Sequence, residues 1–185
     1  MEPRAAVAQY DTATRRYTLH AGSGGAVRLK QDLAKILDVP ANDVRVLMDD
    51  IGGNFGTRGM IYPEFGAVTW AARRVGRPVK WTCERSEAFL SDYQARDLFC
   101  TAELALDAEG NFLAMRGSNL SNVGSVPSNY GQLKKGVEIM TSLYRVPCAH
   151  FRARGVVSNT MLTRPYRSSG RPEVMYIMER LIDIA

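Results

Sequence analysis

Two glycine-containing loops carry the residues of this chain whose types and spacing could do chemistry. The first, residues 52–56, reads Gly-Gly-Asn-Phe-Gly and lies between a strand-like and a helix-like run. The second, residues 166–173, reads Tyr-Arg-Ser-Ser-Gly-Arg-Pro-Glu and also opens a helix. Glycine lets a backbone approach a ligand closely, and the amides at a helix start favour anions such as phosphate. The loops therefore predict an anion or cofactor site, with tight structural turns as the alternative.

Three side chains of these loops suit such a site. Phe55 would cover one face of a ligand, and the planar guanidinium groups of Arg167 and Arg171 can grip phosphate oxygens in a bidentate way. Neither loop fits a standard nucleotide motif, because no Gly-Lys-Ser/Thr follows the first loop and the G-x-G-x-x-G spacing is absent. Spacing alone leaves the identity of the ligand open.

The elements that position the loops mix helices with strands. Strands are predicted at about 5–10, 17–21, 43–48, 79–82, 98–106, 112–119 and 149–157. Helices are predicted at about 26–38, 63–74, 132–143 and 172–185, with a short helix or loop at 84–90 and an extended loop at 118–131. This order, with at least one hairpin, predicts an α+β fold in which helices pack on mixed sheets, within a single domain over residues 1–185.

Composition narrows the class of protein. With 185 residues, 45% of them hydrophobic, the chain can bury a core. No apolar run reaches the length of roughly 18 residues that a membrane span needs, so no membrane span is predicted. The net charge of +5 comes from scattered arginines, which argues against nucleic-acid binding and fits an anionic ligand or an acidic partner.

Cysteine and histidine usage predicts no metal site made by side chains. Cys83, Cys100 and Cys148 lie far apart and form neither a disulfide framework nor a metal-binding pair. We expect three buried thiols in the reducing cytoplasm. His20 and His150, the two histidines, are expected at core or strand positions.

Several ordered strings resemble the molybdenum hydroxylases, the family of xanthine dehydrogenase, aldehyde oxidase and aerobic carbon monoxide dehydrogenase. Residues 52–56 resemble the family's G-G-x-F-G loop, and residues 166–173 resemble its Y-R-G-A-G-R-P-E loop. Residues 76–80, 84–87 and 95–97 match further family strings between the two loops. The resemblance spans nearly the whole chain and is closest to the carbon monoxide dehydrogenase-like large subunits. It implies part of a molybdopterin-binding domain.

The resemblance also implies a cofactor, a reaction and partners. The cofactor would be molybdopterin cytosine dinucleotide, and the reaction the hydroxylation of a carbon centre with oxygen from water. Electrons would leave through iron–sulfur clusters and FAD on partner chains, namely an iron–sulfur small subunit and an FAD-binding medium subunit. Cofactor contacts carry over to Gly53, Asn54, Phe55, Gly56, Arg167 and Ser168.

Three departures from the family pattern bear on the site. The family's G-S-Q-G string touches the cofactor through glutamine, and Gly24 stands at that position here. Arg58 and Gly59 stand where purine-oxidising members carry Lys-Glu. Ser168 stands where the copper-binding members carry cysteine, so a copper–molybdenum site is not expected. Carbon monoxide, an aldehyde and a nitrogen heterocycle all stay open as substrates.

Residues 1–4, Met-Glu-Pro-Arg, resemble a string found in mid-domain in the family, so we expect a piece of a larger subunit. The family's general-base glutamate lies near the end of a much longer chain and has no counterpart here, so the catalytic residue is unknown. We expect the isolated chain to be inactive and to need the C-terminal half of the large subunit as a partner. The alternative is a truncated, non-catalytic module that only associates with partner chains.

Overall fold

The structure is a computed structural model that describes residues 2–126 and 130–185. The chain forms two compact units, one reaching to Asp92 and the other starting at Tyr93. Each unit has its own sheet, with helices packed on it, so the predicted α+β class is confirmed. The single domain predicted over 1–185 stays a prediction.

Among the described residues, the first unit has a sheet of four strands: β1 (Ala5–Asp11), β2 (Arg16–Ala21), β3 (Val44–Leu47) and β4 (Val79–Thr82). Their order across the sheet is β3-β2-β1-β4. β1 pairs antiparallel with β2 and β4, whereas β3 runs parallel to β2. A parallel pair needs a crossover connection, and the helix between β2 and β3 provides it.

Helices α1 (Ala26–Leu37) and α2 (Pro63–Val75) pack against this sheet. Their apolar residues recur every three or four positions, which gives each helix one buried stripe. Leu33 of α1 and Phe65 of α2 are almost inaccessible to solvent. Helix α2 has proline at its first turn and ends at Gly76, whose φ is 64°, as expected for a helix stop.

A third helix, α3 (Arg85–Ser91), settles the choice left open at residues 84–90 in favour of a helix. Glu84 and Glu87 form a reciprocal capping box at its start. Such boxes satisfy amides that the first turn of a helix leaves unpaired. The predicted Glu-Arg-Ser-Glu string therefore has a local structural role.

The second unit has a three-stranded sheet among the described residues: β5 (Leu98–Leu106), β6 (Phe112–Gly124) and β7 (Cys148–Val157). β6 lies in the middle, antiparallel to β5 and parallel to β7. The turn between β5 and β6 is made by Asp107, whose Oδ1 accepts the amide of Asn111 at 2.7 Å. This is the turn chemistry expected from the sequence.

Helices α4 (Gly131–Glu138) and α5 (Arg171–Ile184) complete the second unit. Its hydrophobic core is formed by Met115, Met140, Val174 and Met178. Val174 and Met178 lie four residues apart on α5, so one stripe of that helix faces the core. The helix predicted at about 172–185 is thereby confirmed.

Two predicted boundaries are wrong. Residues 118–124 are not loop, because β6 continues to Gly124 and stays paired with β7, burying Asn119 and Ser121. The polar residues of this segment predicted a loop and gave no signal of a strand. The helix predicted at 132–143 ends at Glu138, since Ile139 leaves helical geometry at φ −126°. Residues 127–129 of the predicted loop lie outside the described residues.

The cysteine prediction is wrong for Cys148. Cys83 is buried and Cys100 half-buried, but Cys148 is exposed because it begins β7, at the edge of the sheet. Both histidines lie on strands, as expected. Across residues 2–126 and 130–185, no helix combines the length and apolar character that crossing a membrane requires.

Candidate functional site

The glycine loop, residues 52–56, connects β3 to α2 and is held by its own side chains. Gly53, Phe55 and Gly56 have left-handed φ angles of 110°, 52° and 97°. Asn54 closes the turn, since its Oδ1 accepts the amide of Gly56 at 2.7 Å. Left-handed φ is uncommon for phenylalanine, and such backbone strain clusters at functional sites. The backbone angles and the Asn54 hydrogen bond thus define the shape of the loop.

Phe55 presents an aromatic surface that is 57% exposed. A Cβ atom at Gly53 would lie 2.5 Å from Cε2 of this ring, so the ring occupies space that only glycine leaves free. A fixed, exposed aromatic ring beside accessible glycine backbone suits a flat ligand. Gly53, Asn54, Phe55 and Gly56, the four residues predicted here, therefore act as one small surface.

The glycine segment before α1 packs against this loop. The amide of Gly24 donates to the carbonyl of Arg58 at 2.8 Å, and Ser23 Oγ donates to the same oxygen at 3.1 Å. A Cβ at Gly24 would lie 1.9 Å from Nδ2 of Asn54 and 2.9 Å from Cα of Gly59. Asn54 therefore occupies the space that a side chain at position 24, glutamine in the family pattern, would need.

The substitution Gly24→Ala is expected to lower the free energy of unfolding by about 1–3 kcal/mol, because overpacking forces neighbours to shift. The added methyl group meets the amide of Asn54 and the backbone of Gly59. In an Asn54→Gly background, the loss should shrink by about half, since only the Gly59 contact remains. Denaturant unfolding of both single variants and the double variant measures the coupling. Strictly additive losses would contradict the packing described.

Glu2 clamps the start of the glycine loop to Arg58, two residues beyond its end. Its Oε2 accepts the amide of Gly52 at 3.0 Å, and its Oε1 pairs with NH1 of Arg58 at 3.1 Å. Arg58 also donates to the backbone carbonyl of Glu2. Sequence reasoning missed this clamp, because partners 50 and 56 positions apart leave no spacing signal.

The Glu2 clamp should make loop stability depend on pH. The hydrogen bond from the Gly52 amide, aided by Arg58, outweighs burial and holds the pKa of Glu2 below its ordinary value of 4.5. A lowered folded-state pKa means that the stabilisation is complete above about pH 4.5 and is lost as pH falls through the lowered value. Comparing unfolding of the unsubstituted chain and Glu2→Gln from neutral pH to about pH 3 should show their difference shrinking.

The matched control for this pH series is Glu109→Gln, at an exposed position in the β5–β6 turn. Its stability should run parallel to that of the unsubstituted chain across the series. A difference between Glu2→Gln and the unsubstituted chain that stays constant down to low pH would rule out the Glu2 carboxylate as the titrating group.

The second loop, residues 166–173, leads into α5 through three residues of positive φ. The angles are 69° at Ser168, 32° at Ser169 and 87° at Gly170. A Cβ at Gly170 would lie 2.2 Å from the carbonyl oxygen of Gln132, so the loop lies directly on α4. Turns of this kind at a helix start bring successive amides together, as in anion-binding sites.

Arg96 ties the beginning of this loop to α5. Its NH2 group donates to the carbonyl of Tyr166 at 3.0 Å and to the carbonyl of Arg167. Its Nε pairs with Glu173 at 3.2 Å, and its guanidinium lies 5.3 Å from the centre of the Tyr166 ring. The string at 95–97, noted from the sequence only as a match, thus positions the loop.

Buried polar atoms without hydrogen-bond partners lie in and beside the second loop. They include Ser169 Oγ, Glu173 Oε2 and Gln132 Oε1. Buried polar groups are nearly always hydrogen-bonded, and each one left unmet costs about 1–3 kcal/mol. Groups of this kind fit a place where a ligand or ordered water supplies the missing partners. Sequence reasoning could not identify them, because burial and partners depend on the folded chain.

The predicted site residues are divided between the units. Gly53, Asn54, Phe55 and Gly56 belong to the first unit, whereas Arg167 and Ser168 belong to the second, where both are exposed. The part of the chain that the structure describes contains no group of three or more His, Cys, Asp or Glu side chains able to hold a metal ion.

The profile of the family "Molybdopterin cofactor-binding domain" matches residues 1–185. Among curated proteins, the gamma subunit of the 6-hydroxypseudooxynicotine dehydrogenase complex of Paenarthrobacter nicotinovorans is 37% identical over 190 residues. The carbon monoxide dehydrogenase large chain of Hydrogenophaga pseudoflava is 30% identical over 189 residues. Both alignments cover 100% of this chain, but only 23% and 24% of the respective relatives.

Solved structures share the fold. Quinoline 2-oxidoreductase from Pseudomonas putida 86 superposes with a TM-score of 0.95 at 29% identity, covering 99% of this chain and 24% of that one. The reconstituted CO dehydrogenase from Oligotropha carboxidovorans superposes with a TM-score of 0.88 at 30% identity, covering 98% and 23%. This chain therefore spans about a quarter of the length of the proteins it matches.

Proposed function

This chain belongs to the family of molybdopterin cofactor-binding domains, and we propose that it forms part of the molybdenum-cofactor site of an oxidoreductase that hydroxylates a carbon centre with oxygen from water. The observation that carries the proposal is the glycine loop, whose shape is fixed by Asn54 and Glu2 and which exposes Phe55. One matched relative is a carbon monoxide dehydrogenase large chain and a matched structure is a CO dehydrogenase, in line with the resemblance.

The residues present fit a flat, anionic cofactor. Residues 53–56 let backbone approach one face of it, and the ring of Phe55 would cover it and exclude water. Arg167 would balance negative charge, and Ser168 would offer a hydroxyl group. The unpartnered hydroxyl of Ser169 fits the same role of supplying polar contacts. When bound, the cofactor supplies the redox chemistry, while these residues bind and orient it.

We further infer the molybdopterin cytosine dinucleotide form of the cofactor and an assembly in the cytoplasm. The partners would be the C-terminal half of the large subunit, an FAD-binding medium subunit and an iron–sulfur small subunit. Two relatives support an assembly by their names, one a "large chain" and the other a subunit of a dehydrogenase complex. Residues 1–185 would then be one partial domain of the large subunit.

For the substrate, we propose a chemical class and no single compound. Carbon monoxide dehydrogenase-like chemistry and the oxidation of an aldehyde or nitrogen heterocycle both fit the family. Ser168, in the place of the family's copper-binding cysteine, lies exposed at a left-handed position and offers no thiolate. This favours an organic substrate over a copper-dependent reaction with carbon monoxide.

Molybdenum content tests the cofactor proposal. The chain would be co-produced with a polypeptide supplying the rest of the large subunit, and metal in the purified assembly measured by mass spectrometry. We expect bound molybdenum, and in Phe55→Ala about a tenfold weaker retention of it on dilution, as expected when about 1.4 kcal/mol of binding is lost. Phe89→Ala, at a 75% exposed phenylalanine of the same unit, is the matched control and should keep its molybdenum.

The second candidate, a non-catalytic module that only associates with partner chains, draws support from exposed apolar side chains. Among the described residues, the most exposed include Leu143 at 94%, Leu90 at 77%, Phe89 at 75% and Tyr176 at 71%. Apolar surface of this kind favours association. A stable assembly free of molybdenum and pterin would support this candidate and refute cofactor binding. Equal molybdenum retention in Phe55→Ala and the unsubstituted assembly would refute only the role of Phe55 and would leave cofactor binding by the assembly standing.

A further inference from the structure

Arg164 is a buried cation whose charge is left unmatched by the described residues. Only 8% of its surface is exposed, and its Nε and NH1 atoms are enclosed without hydrogen-bond partners. None of the ion pairs formed within residues 2–126 and 130–185 includes its side chain. Arg4, the comparably buried arginine of the first unit, pairs instead with Glu64 and Asp92. The two arginines differ in their partners, not in their burial.

An unpaired charge in such a place is costly, because burial removes the water that would solvate it. The ring of Tyr93, 4.8 Å from the Arg164 guanidinium, offers a cation–π contact. Such a contact recovers only a small part of the solvation that a buried cation loses. An anion from elsewhere would restore the balance.

The backbone holds Arg164 in place. Its amide donates to the carbonyl of Gln94 at 2.8 Å, and the Gln94 amide donates to the carbonyl of Leu162 at 3.0 Å. Next to it, Thr163 Oγ1 donates to the carbonyl of Asn122 at 2.8 Å and accepts a 3.4 Å bond from Gln132. A charge on a segment pinned from both sides cannot move far to find a partner, so the anion must come to it.

Two carboxylates of the same unit have other partners. Glu173 pairs with Arg96 at 3.2 Å, and Asp97 accepts the side-chain amide of Asn122 at 2.8 Å. The loop that follows adds two more cations, Arg167 and Arg171. Three arginines within eight residues favour an anion of more than one negative charge, and the planar guanidinium matches the oxygens of phosphate.

We propose that Arg164 binds an oxyanion of the phosphate class. The oxyanion has two possible sources, the phosphates of a bound dinucleotide cofactor and free phosphate, of which only the first rests on the function proposed above. Arg164 lies outside the string at 166–173 that carries the family resemblance. Tyr93 would form one wall of the site.

The test follows the Nε–H resonance of arginine in the ¹⁵N-labelled 185-residue chain. Inorganic phosphate and cytidine diphosphate would be titrated separately at constant ionic strength, with chloride as the reference anion. We expect a saturable shift at Arg164, and binding weakened about tenfold or more in Arg164→Gln, because the bidentate grip is lost. Arg152→Gln, at an exposed position of β7, is the matched control and should bind like the unsubstituted chain.

The two probes separate the sources. Stronger binding of cytidine diphosphate than of inorganic phosphate would support the dinucleotide, and equal binding would support a free oxyanion. No shift with either probe, or equal binding by Arg164→Gln, overturns the proposal and leaves the molybdenum measurement unaffected. Should Arg164→Gln fail to fold, the resonance in the unsubstituted chain still decides, and Arg164→Lys, which keeps charge without the fork, serves as the second variant.

Discussion

Replacing Arg4 with alanine is expected to lower the free energy of unfolding by about 3–5 kcal/mol, the loss typical of breaking a buried ion pair. Arg4 is 3% exposed, pairs with Glu64 at 3.1 Å and with Asp92, and donates to Ser91 Oγ at 2.7 Å. Its guanidinium also lies 4.0 Å from the centre of the Tyr62 ring. Its removal strands the Glu64 carboxylate and leaves a cavity. Equilibrium unfolding in denaturant measures the loss.

Arg16→Ala is the control for this prediction. Arg16 is exposed, and within the described residues its side chain bonds only the carbonyl of Asn42, at 3.2 and 3.3 Å. Its replacement should therefore change stability by no more than about 0.5 kcal/mol. The loss of unfolding free energy in Arg4→Lys should fall between those of Arg4→Ala and Arg16→Ala, because lysine keeps the charge but lacks the planar guanidinium group. A loss below about 1 kcal/mol in Arg4→Ala would mean that the Arg4 cluster is not buried in solution.

Gly170→Ala is expected to cost about 3 kcal/mol and to lift the second loop from α4. An alanine Cβ would lie 2.2 Å from the carbonyl oxygen of Gln132 and 3.1 Å from the amide nitrogen of Gly136, both parts of rigid backbone. Steric overpacking of this kind costs about 1–3 kcal/mol. The φ of 87° adds a cost of about 1 kcal/mol for a residue with a side chain.

A glycine elsewhere in the chain isolates the steric part of this effect. Gly76 also has a positive φ, 64°, but a Cβ there would meet nothing within 4 Å. Gly76→Ala should therefore lower the free energy of unfolding by only about 1 kcal/mol, the cost of a positive φ for a residue with a side chain. Unfolding free energies and amide NMR shifts over residues 166–173 test both variants. Equal losses at the two glycines would show that the loop does not press on α4.

The elements were predictable wherever apolar periodicity was strong. The alternation of β5 and the three- and four-residue spacing in α5 are local signals, and both elements appear where predicted. The end of β6 was not predictable, because Asn119 and Ser121 are buried by their place in the sheet and not by their own polarity. Tertiary context overrides composition at such positions.

The candidate site was predictable as sequence strings but not as a set of contacts. Gly53, Phe55 and Gly56 do form a strained loop, as a glycine-rich string suggests. The clamp from Glu2 and the unmatched charge of Arg164 depend on which distant residues meet, and no local pattern encodes that. The strings thus located the loops, and the fold revealed the residues that hold them.

The contact between Asn54 and Gly24 sets an order on how this surface can evolve. A side chain at residue 24 is costly while the amide of Asn54 lies 1.9 Å from the place of its Cβ. A smaller residue at position 54 relieves the closer of the two contacts and leaves that with Gly59, so a mutational path to a longer residue at 24 is easier when position 54 changes first. In chimeras that exchange segments with relatives, these two positions should be inherited from the same parent.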